Sequence, residues 1–363
     1  MDLLPDCLLE IIVSFLPPKA GARTMALSRR WRSIWPYHPL HVDFSDAQTR
    51  EEVLGDSSLC AVLSSHRGPI RRFSVTSYPD FSRGAPIWFG ALLARKTIID
   101  SVTLELGNEL FKPHVPLAAN VRRLELRFCR VDLLPSTAPP TSLFPVLECL
   151  RLAWVEISET ALAGLVDGGC PALRDISLEG MDGLRHVALR SRTLATACIS
   201  RCRNLDELCA GHAPSLRALT FRYMGLWRIK IEVPISVQEI GLTLPTIGSL
   251  VTTSTTTSSH YGCTCLDSWS SKYKRCYRGW PPAAGKIACL NQHLTHVRLQ
   301  GYCATRGEQE FATFLVSLSM SLTLMEMIHS AHWTVKTIES QKRMLCRRGV
   351  ASSVAQLRFT KQN

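Results

Sequence analysis

The 363-residue sequence lacks a long apolar run. Its longest uncharged, apolar-leaning stretch is residues 311–325, which also carries Ser and Thr. A membrane span needs about 20 predominantly apolar residues, so no membrane contact is expected. No run of five or more basic residues occurs, although the formal charge is +12. The basic pairs Arg29-Arg30, Arg71-Arg72, Arg122-Arg123 and Arg347-Arg348 are scattered. They form no stripe of the kind a nucleic-acid groove uses. The glycine-rich loop that cradles phosphates is missing, and so is a Gly-x-Ser-x-Gly elbow. The 14 cysteines contain no Cys-x-x-Cys pair. Cys263, Cys265, Cys276 and Cys289, with His293, His296, His329 and His332 nearby, do not have zinc-site spacing. No catalytic group, metal or cofactor is therefore expected. Residues 1–16 show no basic start and no small-residue cleavage site, and Asp2, Asp6 and Glu10 interrupt them. Reduced thiols and a place in the cytoplasm, the nucleus or both are the expectation.

What is present is an ordinary apolar fraction, 46 %, enough for a sizeable core. Residues 1–43 are helical in pattern. Leu8, Leu9, Ile12 and Leu16 mark one face of a first helix, which the prolines at 17 and 18 stop. A second helix is predicted over 19–27. Ser28 is a fair N-cap for a third over 29–35, which Pro36 ends. Three short helices bury little by themselves, so this unit wants a neighbour.

From residue 44 to 247 the pattern changes to a repeated apolar-x-x-apolar-x-apolar template. It fits Val121/Leu124/Leu126, Leu147/Leu150/Leu152, Leu173/Ile176/Leu178, Leu194/Ala197/Ile199, Leu216/Leu219/Phe221 and Val237/Ile240/Leu242, at steps between 21 and 26 residues. A second series, Leu184/Val187/Leu189, Leu205/Leu208/Ala210 and Leu226/Ile229/Ile231, lies between them. One such unit cannot hide its apolar face, so the units must stack as a solenoid. The interleaved series makes the opposite side of each coil extended as well. Residues 72–76 and 101–106 read as earlier, degenerate units. Residues 248–288 break the pattern with a Ser/Thr tract and a Cys-, Trp- and basic-rich stretch, which reads as a flexible insertion. The template resumes at Leu294/Val297/Leu299. Helical character follows over 308–318, a strand over 322–328, and a helical then frayed tail from Val335.

The N-terminal stretch carries a resemblance. Leu4, Pro5 and Asp6, then Cys7 through Leu16, lead into Leu27-Ser28-Arg29-Arg30-Trp31-Arg32 and Trp35, with Pro39, Leu40 and Asp43 after them. This string resembles the F-box of plant F-box proteins. The repeats resemble the leucine-rich repeats of that family, with Gly169, Cys170, Pro171 and Ala172 before Leu173 as a typical strand lead-in. Residues 289–363 look like the FBD-like region that often follows. The resemblance implies an α+β chain: a three-helix F-box (1–43), a leucine-rich-repeat solenoid (44–247), the insertion (248–288) and a closing C-terminal α/β cap (289–363). It also implies a non-catalytic substrate receptor of an SCF-type cullin-RING ubiquitin ligase. The F-box would bind a Skp-type adaptor, and through it a cullin. By position the adaptor contacts are Leu4, Pro5, Leu8, Leu9, Ile12, Leu16, Leu27, Trp31 and Trp35. Five or six such side chains could give on the order of 10 kcal/mol gross, before association costs.

On each template strand the leucines turn inward and the residues between them turn out. That exposes Arg123, Glu125 and Arg127, then Arg151, then Asp175, Ser177 and Glu179, then Thr196 and Ser200, then Thr220 and Arg222. A row of mixed charge and hydroxyl groups suits an unidentified protein substrate. Two other readings stay open. One is a repeat scaffold whose F-box is non-functional. The other, weaker, is a basic nucleic-acid binder acting through residues 272–280, where aromatics alternate with cations.

Overall fold

The computed structural model describes residues 4–16, 18–44, 63–64, 66–75, 92, 98–111, 120–131, 143–222, 230–232, 234, 236–243, 293–304, 306–329, 333–347 and 355–361. The expected insertion at 248–288, with its cysteines and basic stretch, lies outside them. The chain divides into two compact units, Met1–Ser215 with Gly225–Glu232, and Leu216–Met224 with Val233–Asn363.

The first unit opens with three short helices, α1 (Asp6–Ser14), α2 (Pro18–Thr24) and α3 (Arg29–Ile34). Asp6 sits in the first turn of α1, where a negative charge complements the helix dipole. Pro18 fits the first position of α2, where no backbone donor is needed. Helix α2 ends at Thr24, short of the 19–27 expected, and turns follow it. Ser28 is extended at φ −164° and its hydroxyl accepts the Trp31 N–H at 3.5 Å, capping α3. Asp6 and Arg30 pair at 2.5 Å and tie α1 to α3. Leu9, Val13, Trp31, Ile34 and Trp35 are buried. A Cβ added at Gly21 would overlap the Trp35 ring, so α2 can cross that ring only on a glycine.

A parallel sheet follows. Its strands are β1 (Leu40–Phe44), β2 (Ile70–Val75), β3 (Ile99–Phe111), β4 (Val121–Val131), β5 (Cys149–Ala153), β6 (Glu156–Ile157), β7 (Asp175–Glu179) and β9 (Thr196–Ser200). The order is β1-β2-β3-β4-β5-β7-β9, with β6 beside β4. The register lines up the template. Phe73, Val102, Leu124, Leu150, Ile176 and Ala197 make one buried column, and Val75, Leu104, Leu126, Leu152, Leu178 and Ile199 the next. Each apolar side chain is covered by those of the neighbouring strands, which is why a single unit could not stand alone. No strand was expected at β1, and β3 and β4 run well beyond the template.

The interleaved series forms a second, three-stranded parallel sheet of β8 (His186–Ala188), β10 (Glu207–Cys209) and β12 (Lys230–Glu232). Leu226 and Ile229 of that series lie outside the described residues. A short helix, α4 (Glu159–Gly164), capped by Ser158, precedes β7. The Glu159 carboxylate accepts the backbone N–H groups of Arg185 and His186 at 2.8 Å each, binding α4 to β8.

The second unit holds β11 (Ala218–Arg222), β13 (Glu239–Thr243), β14 (His296–Gln300), α5 (Arg306–Leu318), β15 (Leu324–His329), α6 (Val335–Arg347) and β16 (Gln356–Lys361). The strands pair in parallel in that order. Leu219, Ile240, Val297, Met325 and Leu357 form one column, and Phe221, Leu242, Leu299, Met327 and Phe359 another. The tail expected to fray after α6 instead adds β16, because Leu357 and Phe359 continue both columns. Tyr302 is fully buried, edge-on to Trp333 and Phe359, and its hydroxyl reaches Gln341 of α6 at 3.4 Å.

Candidate functional site

Helix α1 carries two apolar stripes. Leu9 and Val13 are 1 % exposed, against Trp31 at 6 % and Trp35 at 4 %. Leu8, Ile11, Ile12 and Phe15 follow the i, i+3, i+4, i+7 spacing of one helical face, and they are 42, 51, 39 and 81 % exposed. Leu27, in the turn after α2, is 64 % exposed. Pro5 is exposed, and Leu4 and Leu16 are half-buried. The nine residues singled out from the sequence thus divide: Leu9, Trp31 and Trp35 hold the helices together, while Leu8, Ile12, Leu27 and Pro5 face outward. Ile11 and Phe15 join the outward set and were not singled out, although their spacing was in the sequence. An exposed apolar stripe of this kind marks a surface awaiting a partner. Full burial gains about 1.5–3 kcal/mol per large apolar side chain, so the remaining exposure of Leu8, Ile11, Ile12, Phe15 and Leu27 is worth on the order of 5 kcal/mol gross. That is half the figure the sequence suggested, because these side chains are already partly covered.

The outer face of the first unit's large sheet carries the polar row. Arg72, Ser101, Arg123, Cys149, Asp175 and Thr196 occupy one line of the register, and Ser74, Thr103, Glu125, Arg151 and Ser177 the next. Arg127, Glu179 and Ser200 belong to a third, in which Ser200 is buried. Thr220 and Arg222 stand on β11, in the other unit. The acidic members are partnered within the face. Arg127 pairs with Glu125 at 2.6 Å, Arg201 with Glu179 at 3.0 Å, and the Thr196 hydroxyl donates to Asp175. Among the described residues, Arg72, Arg123 and Arg151 form no ion pair.

The thiols offer no nucleophile in the core. Burial pushes Cys129 and Cys170 up to about 12 and Cys202 up to about 11, so they stay protonated at neutral pH. No group of three or more His, Cys, Asp and Glu side chains among the described residues could hold a metal. No described helix is long and apolar enough to cross a membrane.

Comparison with known proteins bears on both surfaces. A family profile described as an F-box domain matches residues 1–43, the segment that carries the outward stripe. A second, described as the LRR repeats of the FBD-associated F-box protein At5g56370, matches residues 92–267. The chain thus carries an F-box match followed by a leucine-rich-repeat match, and is similar to plant F-box/LRR-repeat proteins. Among the relatives in Arabidopsis thaliana, F-box/LRR-repeat protein At3g03360 is 27 % identical over 60 % of the chain and 46 % of its own length. F-box/FBD/LRR-repeat protein At3g52680 is 27 % identical over 48 % of the chain and 39 % of its own length. The alignments therefore span less than half of either relative. F-box/LRR-repeat protein At3g26922, 28 % identical over 60 % of the chain, is covered over 72 % of its length. The F-box profile takes in both the buried Trp31 and Trp35 and the exposed stripe of α1, so one short motif encodes a core and a surface together.

Proposed function

We propose that this chain is the substrate-recognition subunit of an SCF-type cullin-RING ubiquitin ligase. The F-box docks on a Skp-type adaptor, and through it a cullin. The leucine-rich repeats, stacked as a solenoid, hold the protein to be ubiquitylated. The chain itself catalyses no step. The observation that carries the reading is the outward stripe Leu8, Ile11, Ile12 and Phe15, apolar and uncovered, on a motif of the F-box family. Leu27, Pro5, Leu4 and Leu16 extend the docking surface, while Leu9, Trp31 and Trp35 set the angle at which α1 presents it. The gross gain of on the order of 5 kcal/mol from the stripe falls within the range of association costs, so polar contacts around it must supply the rest.

The polar row Arg123, Glu125, Arg127, Arg151, Asp175, Ser177 and Glu179 is the target-holding face in this reading; Thr220 and Arg222 stand on β11 of the other unit. Reduced thiols fit a site of action in the cytoplasm or nucleus. The test is assembly. The chain, a Skp-type plant adaptor and a cullin are co-expressed and run over a sizing column. A stable three-way complex is expected. A chain that elutes alone, folded by its circular dichroism, would mean that the repeats serve as a scaffold without ubiquitin transfer.

A further inference from the structure

The last strand of the second unit, β16, pairs with β15 and stands at the end of the sheet order. Among the described residues no strand lies along its other edge. Gln356 gives its N–H to the Thr323 carbonyl at 2.9 Å, on the β15 side. Successive residues of a strand turn their backbone groups to opposite sides, so Leu357, Phe359 and Lys361 turn theirs to the open edge. The side chains match this. Leu357 and Phe359 end two apolar columns and are half-buried, whereas their neighbours Met325 and Met327 are fully buried. The end of a repeat array needs a polar flank, and this end presents two apolar side chains. In the first unit the end strand β1 is closed: α2 packs against it, and Leu40 and Val42 are buried. On the outer face, Arg298, Glu326 and Arg358 share one line of the register and alternate in sign. Arg298 pairs with Glu326 at 2.8 Å, and among the described residues Arg358 forms no ion pair.

We propose that β16 takes an extended segment of another protein as a further strand, and that this segment alternates apolar and acidic residues. Main-chain hydrogen bonds to the open edge give an added strand its affinity, and its alternate side chains give it specificity. The apolar residues of the segment continue the columns beyond Leu357 and Phe359. An acidic residue between them falls in line with Arg358 and adds the next sign to the row Arg298, Glu326, Arg358. Opposite charges on neighbouring strands attract, and like charges repel. A second copy of this chain fits worse. Side chains keep their faces only in every other register. The two most centred antiparallel registers of β16 with itself set Arg358 against Arg358, or Lys361 against Leu357. The inference concerns the second unit alone and does not depend on the adaptor reading of the F-box.

The test uses the full chain and a short labelled peptide that alternates valine and glutamate, read by fluorescence anisotropy. One control holds the same residues in separate blocks, and another alternates valine and lysine. The alternating acidic peptide is expected to bind about tenfold tighter than either control. Methylating the backbone nitrogens at one set of alternate positions should abolish its binding, and at the other set should spare it. Arg358→Gln should weaken binding about threefold, while Arg190→Gln, in the first unit, should leave it unchanged. Lys361→Pro removes an outward N–H and none that faces β15, so it should weaken binding more than Lys361→Gln, which removes the charge alone. All three sites are exposed, so equal Tm is expected for the variants. Equal binding of the alternating and block peptides, or equal loss in Arg190→Gln and Arg358→Gln, overturns the proposal, because net charge alone then explains the binding. A chain that binds no peptide overturns it too. A dimer in sedimentation that Lys361→Pro dissociates overturns the assignment to another protein and gives the edge to a second copy.

Discussion

Leu8 and Leu9 are neighbours in sequence, and the fold gives them opposite surroundings. Leu9 packs inside the helical unit and Leu8 faces out. Their effects on stability should differ accordingly. Leu9→Ala removes a fully buried side chain and is expected to cost about 2–5 kcal/mol. Leu8→Ala should cost under about 1 kcal/mol. Hydrogen exchange of the α1 amides separates the two. The sequence could not, because 8/11/12/15 and 9/13/16 both satisfy the helical period. Only the positions of Trp31, Ile34 and Trp35 decide which stripe turns inward. The cysteines give a second residue-scale expectation. At neutral pH a maleimide should label the exposed Cys7 and Cys346 quickly, and Cys129, Cys170 and Cys202 only on unfolding. Peptide mapping by mass spectrometry reads this directly, and fast labelling of Cys170 would contradict the buried lead-in to β7.

At the scale of elements, the strands were legible because stacking forces a repeat. Each template leucine must meet another, so the period is written into the chain at Leu124, Leu150 and Ile176. Strands β1 and β16 escaped notice because each stands at the end of its series. The left-handed residues beside the strand ends, and Phe128 within β4, were not singled out from the sequence. Phe128, Trp154, Gly180 and Arg201 follow one another across β4, β5, β7 and β9, all with positive φ. Only the glycine is a residue type that favours that conformation. The Phe128 and Trp154 rings stack with centroids 6.5 Å apart and planes 2° apart, which offsets part of their strain. Gly180→Ala should cost about 1–2 kcal/mol from backbone conformation alone. The added methyl also meets the Trp154 ring, at 2.5 Å from its nearest atoms, so a fall in Tm larger than that of an exposed Gly183→Ala is expected. Helix α4 carries a pH signature. The His186 and Arg185 backbone N–H groups hold the Glu159 carboxyl below its usual range. A depressed carboxyl contributes stability above its unfolded pKa and loses it as pH falls through the folded value. Glu159→Gln should therefore lower Tm at pH 7, with the gap closing as the pH drops below about 4. A constant gap across that range would contradict the contact between α4 and β8.

At the scale of the molecule, the chain pairs an apolar face on its F-box with a polar face on its repeats. The first was half legible, through the motif. The second was legible only as a row, because Arg72, Arg123 and Arg151 come together only once the register of β2 to β5 is known. The apolar stripe and the part of the polar face carried by β4 to β9 belong to one compact unit. The most direct measurement is calorimetric titration of a Skp-type adaptor into the intact chain and into Phe15→Asp, with thermal melts of both. Phe15 is 81 % exposed, so the substitution should leave Tm unchanged. Adaptor binding by the intact chain, weakened at least tenfold by Phe15→Asp at equal Tm, is the expected result. Equal binding by both, or binding by neither, would contradict the assignment of the outward stripe to the adaptor.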